Sequence, residues 1–119
     1  MSAREGVYEG RVSTQTVTLT DAQFKAEVLD SQQPVLVDFW ATWCAPCVAM
    51  KPALEELAAQ FAGRAKVATM NVEDHQATPQ AFGIRSVPNL VVFKGGRVVG
   101  QVAAALPKAK LQELLERAL

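Results

Sequence analysis

Six residues, Val35-Leu-Val-Asp-Phe-Trp40, constrain the fold more than any other stretch of the chain. They are apolar at odd and even positions alike, with Asp38 the one exception. Successive side chains of a strand point to opposite faces, so both faces of this strand must be covered. That is the situation of an inner strand with a further layer above and below it. A sheet wetted on one side would show strict apolar and polar alternation instead.

The flanking patterns supply those layers. Thr16–Leu19 alternates weakly as a short strand, and Thr20 with Gln23 forms a capping-box pair opening a helix that carries Phe24, Val28 and Leu29 on one side and ends near Asp30. From Cys44 onward Met50, Leu54, Leu57 and Phe61 recur at three- and four-residue steps until Gly63, with Pro52 expected to kink the helix. Lys66–Val72 reads as a strand, Gln76–Phe82 as a short helix stopped by Gly83, and Asn89–Phe93 and Arg97–Ala103 as strands joined at Gly95-Gly96. Pro107 suits the first position of a last helix whose apolar face is Leu111, Leu114, Leu115 and Ala118. This order predicts an α/β fold, a mixed sheet of about five strands flanked by helices on both faces. Residues 1–14 mix charge and glycine without periodicity and read as a loosely ordered arm, leaving 15–119 as the domain. A chain of 119 residues, 50% of them hydrophobic, suffices for one core.

Charge and hydropathy exclude several functions. Twelve Lys and Arg balance twelve Asp and Glu, which leaves no excess positive charge to hold a phosphate backbone, so nucleic acid is not an expected partner. No stretch reaches about eighteen consecutive apolar residues, so no membrane span is expected. The first fifteen residues lack the apolar run of a secretory signal, and a cytoplasmic protein is expected. In a reducing compartment, two cysteines point to catalytic or metal chemistry more than to a permanent staple.

Both cysteines stand in one motif, Cys44-Ala-Pro-Cys47, where the helical pattern starts. Positions i and i+3 share a helix face, so the two thiols can reach disulfide distance without backbone rearrangement. The first turn also offers unpaired N–H groups and the positive end of the helix dipole, which favour a thiolate. Cys44, nearer the end, reads as the nucleophile, and Cys47, deeper and more buried, as the thiol that acts second. Pro46 falls where its missing N–H does no harm. Other uses of the pair stay open on these residues alone. Zinc usually takes four Cys or His ligands and only His75 could join the pair, unless a second chain completed the site. An inert disulfide would close too small a loop to constrain the unfolded chain much. An apolar rim could serve a binding module without turnover, and motifs from two chains could together carry an iron–sulfur cluster. C-x-x-C beside a βαβ pattern favours redox exchange. Asp38, desolvated within an apolar strand, would have a raised pKa that lets it hold or accept a proton near neutrality; the alternative is a structural Asp hydrogen-bonded to water or a hydroxyl.

The ordered combination of Asp38-Phe-Trp-Ala-Thr-Trp-Cys-Ala-Pro-Cys47, Phe82-Gly-Ile-Arg-Ser-Val-Pro88 running on to Gly96, and a closing amphipathic helix resembles the thioredoxin family from about Thr16 to Leu119. Its Gly-Ile-Arg-Ser-Val-Pro and Leu-Pro-Lys-Ala segments are similar to the second bacterial class, without the N-terminal zinc module that class can carry. The resemblance implies a monomeric protein-disulfide reductase with no bound cofactor or metal beyond a redox-active Cys44–Cys47 disulfide, reset by an NADPH-dependent thioredoxin reductase. It implies Cys44 as attacking thiol, Cys47 as resolving thiol and Asp38 as an aid to deprotonating Cys47. It also implies that Trp43, Ala45, Pro46, Val87, Pro88 and Ala104 grip the partner's polypeptide, with Pro88 a cis-proline facing the dithiol.

The chain departs from the family pattern at several of these places. Ala45 replaces a usual Gly, Val48 replaces a basic residue, and Thr69 stands where a lysine commonly faces the buried aspartate. Without that cation Asp38 should be harder to ionise, and Thr69 is expected to hydrogen-bond it instead. Asn89 follows the proline in place of Thr, and Ala103–Ala105 lacks the Gly usual near the groove, so substrate or reductase preference is expected to differ.

Overall fold

A computed structural model describes residues 15–119; the arm expected over 1–14 lies outside the described residues. Five strands form one mixed sheet: β1 (Val17–Thr18), β2 (Val35–Trp40), β3 (Lys66–Asn71), β4 (Asn89–Lys94) and β5 (Arg97–Val102). Their spatial order is β1-β3-β2-β4-β5, so the doubly apolar strand is the middle one, as its composition requires. β1, β3 and β2 run parallel; β4 pairs antiparallel to β2, and β5 to β4. The hairpin between β4 and β5 turns on Gly95 and Gly96, both at positive φ (59° and 78°), a conformation that glycine adopts without strain.

Alternation along β2 divides the core into two. Leu36 joins Val67, Leu90 and Val92 on one face, under α1 (Ala45–Gln60) and α3 (Lys108–Glu116), which contribute Met50, Leu54, Leu57, Leu111 and Leu115, with Phe61 added just past the end of α1. Val35, Val37 and Phe39 face the other way with Val91, Phe93, Leu19, Phe24 and Val28. Phe24, Phe82 and Phe93 meet there with ring centroids 5.2–5.5 Å apart, in the tilted and edge-on arrangements that aromatic quadrupoles favour. The mixed sheet flanked on both faces is the expected α/β architecture. No helix among the described residues is long and apolar enough to cross a membrane.

Local differences from the sequence reading have physical causes. The helix expected from Thr20 to Asp30 is a 3₁₀ turn (Asp21–Gln23) followed by a single wide turn (Lys25–Leu29) closed by Asp30 N–H donating to the Lys25 carbonyl at 2.8 Å. Thr20 does cap it, its hydroxyl accepting the Gln23 N–H at 3.2 Å. Packing Phe24 and Val28 onto the sheet within so short a segment outweighs regular helical spacing. The short helix is α2 (Ala77–Ala81). Its amides are capped from across the fold, the Asp21 carboxylate accepting from Thr78 N–H at 2.8 Å and Ala77 N–H at 3.3 Å. Pro107 sits one position earlier than expected, as the N-cap of α3.

Candidate active site

The carboxyl end of β2 delivers the chain directly into the dithiol. After Trp40 the backbone turns through Ala41–Trp43, and α1 starts at Ala45 with Cys44 as its N-cap and Pro46 inside the first turn. The two cysteines therefore sit at the N-cap and the third helical position of α1. They are joined as a disulfide with Cα atoms 5.3 Å apart, an ordinary span for such a bond. The Cys47 N–H donates to the Cys44 sulfur at 3.2 Å, so the capping role normally played by an oxygen is taken by Sγ. Cys44 keeps 5% of its surface exposed and Cys47 none. Ala41 completes this small buried cluster, and Trp40, Val72 and Val87 pack against it.

Around the pair the predicted rim is assembled from distant segments. The Val87–Pro88 bond is cis, Pro88 is buried, and half-buried Val87 touches the cysteine cluster. Trp43 is 71% exposed and shares with Val72, Ile84, Arg85 and Val87 a shallow, mainly apolar groove of about 130 Å³ beside the sulfurs. Ala45 and Pro46 are exposed on the first turn of α1. Ala104 is exposed beyond the end of β5, where Val102 pairs with Leu90, and is not part of the buried cluster around the sulfurs. Asn89 is buried behind Pro88 and its side-chain carbonyl accepts from the Gln101 amide at 3.1 Å.

Asp38 is 1% exposed, on the face of β2 that Leu36 presents to α1, and neither carboxylate oxygen has a hydrogen-bond partner in the protein. Burial drives its pKa from 3.8 up to about 7, opposed by the positive charge of Lys51. Two expectations are corrected here. Thr69 is the register partner of Asp38 but makes no hydrogen bond to it. A positive charge does act on the carboxyl, from α1 instead of the neighbouring strand: that of Lys51, whose ammonium lies 3.4 Å from the centroid of the Trp40 ring.

The sequence reading missed two contributors. Lys51 follows Cys47 by four residues, the spacing that places both on one helix face, and that was its available signal. Glu73 had none: thirty-one residues from Thr42, it accepts both the Thr42 N–H and hydroxyl at 2.8 Å and so ties down the loop that carries Trp43. These bonds hold the Glu73 carboxyl below its usual range. Among the described residues no group of three or more His, Cys, Asp or Glu side chains is gathered to hold a metal ion.

Comparison with known proteins agrees with this geometry. The family model described as thioredoxin matches residues 15–117. The chain is 45% identical over 104 residues to the thioredoxin of Haemophilus influenzae, covering 87% of this chain and 97% of that protein. It is 48% identical over 101 residues to thioredoxin 1 of a Nostoc species, covering 85% and 94%. Against thioredoxin 2 of Chlorobaculum tepidum it is 45% identical over 97 residues, covering 82% and 89%. With a disulfide across one helix turn, an apolar groove beside it and matches of this extent, the chain belongs to the thioredoxin family and reduces protein disulfides by dithiol exchange through its Cys44-Ala-Pro-Cys47 motif.

Proposed function

We propose that Cys44 attacks and Cys47 resolves, with Asp38 taking the proton that Cys47 must lose. The observation that carries this order is the asymmetry of the two sulfurs: Cys44 caps the helix, accepts an N–H and retains some exposure, whereas Cys47 has none. In the reduced protein the amide and the positive end of α1 favour Cys44 as the thiolate. That thiolate attacks one sulfur of a partner's disulfide, forming a Cys44–partner bond and releasing the other partner sulfur as a thiolate. Cys47 then passes its proton to Asp38 and attacks the Cys44 sulfur. The Cys44–Cys47 bond forms as the Cys44–partner bond breaks, and the second partner sulfur leaves as a thiolate that is protonated by water. Two electrons have moved from the dithiol to the partner. A carboxyl that titrates at about 7 is suited to accept a thiol proton at neutral pH.

Trp43, Ala45, Pro46, Val87, Pro88 and Ala104 form the surface that receives the partner's chain in this reading, the exposed indole and apolar groove favouring an extended polypeptide. The added β-carbons of Ala45 and Ala104, together with Asn89, tune which partners are preferred. Oxidised protein is returned to the dithiol by a thioredoxin reductase drawing on NADPH. Residues 15–119 constitute the working domain, acting as a monomer in the cytoplasm.

Trapping tests the order of attack. Cys47→Ser should leave the first step intact and remove the escape route, so covalent complexes with disulfide-containing proteins accumulate and dissolve on adding a small thiol. Cys44→Ser should capture almost nothing. Equal trapping by both variants, or by neither, refutes the ordered mechanism.

A further inference from the structure

At the active-site end of the sheet, β4 and β5 are tied together by side chains where their backbones part. The β4–β5 ladder ends at the Leu90–Val102 pair, so Asn89, the residue after Pro88, has a register partner on β2 (Phe39) and none on β5. There the Gln101 side-chain amide donates to the Asn89 side-chain carbonyl at 3.1 Å. We infer that this bond serves as a side-chain rung in place of the missing backbone one, and that it makes Gln101 a positioning residue, holding the Val87–Pro88 side of the groove at a fixed spacing from Ala104. The inference rests on the reading that Val87, Pro88 and Ala104 receive the partner's chain.

Strand register explains why the two side chains meet. Asn89 and Val91 are two apart in β4 and project from one face. Gln101 stands opposite Val91, so Asn89 and Gln101 form a diagonal cross-strand pair within reach of a long side chain. The face they share is apolar, since Val91 belongs to the cluster of Val37, Phe39 and Phe93. Asn89 keeps 5% of its surface exposed, and a buried amide carbonyl is costly without a donor, so the bond from Gln101 fixes the Asn89 side chain and with it the start of β4. Both ends of the rung lead to the rim. Val87 and Pro88 directly precede Asn89, and Val87 packs against the cysteine cluster. Ala104 follows Gln101 by three residues and is exposed between β5 and α3. Without the rung, the nearest tie between these two segments on the β4–β5 side is the Leu90–Val102 pair. A partner must then order both segments as it binds, which weakens binding and leaves the sulfurs, carried by α1, unchanged.

The test compares a large and a small disulfide. Reduction of insulin and of dithionitrobenzoate, with the protein kept reduced by dithiothreitol, gives kcat and KM for a polypeptide that spans the groove and for a compound that meets only the sulfurs. Gln101→Leu, at an exposed position, should raise KM for insulin about fivefold with kcat unchanged, and should alter either constant for dithionitrobenzoate less than about twofold. Asn89→Leu, of similar size, and the double variant should show the same rise, because each removes the same bond. Multiplying effects in the double variant overturn the rung, since the two residues then act separately. Equal changes for both substrates overturn it too, because a loss of general structure does not distinguish them. Ala104→Glu in the parent checks the rim itself. If it raises KM for insulin and Gln101→Leu does not, the rim reading stands and the positioning role falls. If Ala104→Glu leaves that KM unmoved, the rim reading falls and takes the positioning role with it.

Discussion

Replacing Asp38 by Asn should stabilise the protein, and by an amount that depends on pH in a way only a buried carboxyl can produce. Burial lifts this carboxyl from 3.8 in the open chain to about 7 in the fold. Below the lower value both states hold the proton and the group adds no pH dependence. Between the two values the unfolded chain releases the proton while the folded one keeps it, so the native protein loses stability as pH rises through that window. Above the upper value both are ionised and the deficit is constant. A rise of about three pH units at about 1.4 kcal/mol each gives a full deficit of about 4 kcal/mol. Asn cannot ionise, so the stability difference between variant and parent should widen by about 1.4 kcal/mol per pH unit up to neutrality and then level off. The unpartnered amide adds an offset that does not vary with pH. Urea unfolding of both oxidised proteins from about pH 5 to about pH 9 reads the difference without thiol titration, and every other carboxylate cancels between them. A difference that stays flat over the acidic half of that range, or narrows as pH rises, refutes the claim that Asp38 is desolvated and unpaired.

Further outcomes follow from the geometry. In reduced protein at neutral pH, iodoacetamide should alkylate Cys44 many times faster than Cys47, as peptide mass spectrometry would show; equal rates would contradict the N-cap role of Cys44. Glu73→Gln should weaken the anchoring of the Thr42–Trp43 loop and lower kcat/KM for a protein disulfide more than for a small aromatic disulfide, because only the larger partner needs the Trp43 rim in place. Unaltered discrimination between the two substrates would remove Glu73 from the site. Phe61→Ala empties a fully buried position under α1 and should cost about 3–5 kcal/mol by urea unfolding. A loss below about 1 kcal/mol would mean that the core collapses to fill the gap.

How much of this was legible without coordinates depended on whether the signal was local. Val35–Trp40 announced its central place because burial on both faces leaves no room for polar residues, and the same logic singled out Asp38. The dithiol was legible because its partners are three residues apart. The segment from Thr20 to Asp30 was not, because its turns are shaped by where Phe24 must land against Phe82 and Phe93, both distant in sequence. Attention to position 69, where the family pattern puts the lysine, hid the cation on α1, since only the crossing of that helix over β2 brings Lys51 to the Trp40 ring. The pairing of Thr69 with Asp38 in register is real, yet a shared register sets where backbones lie and does not oblige two side chains to bond.

The division of the interior by β2 bears on how the chain can change. Leu36 and Val37 are neighbours in sequence but contribute to different clusters with different companions. Substitutions placed on opposite sides of the sheet share few contacts, so their effects on stability should combine nearly additively, whereas pairs within one cluster should show coupling. Asp38 and Lys51 belong to the α1 side, and the three-phenylalanine cluster lies on the other. Evolution, or an engineer, can therefore rebuild the aromatic layer to adjust robustness while leaving the electrostatics behind the dithiol almost untouched, a freedom that a protein with a single undivided interior would lack.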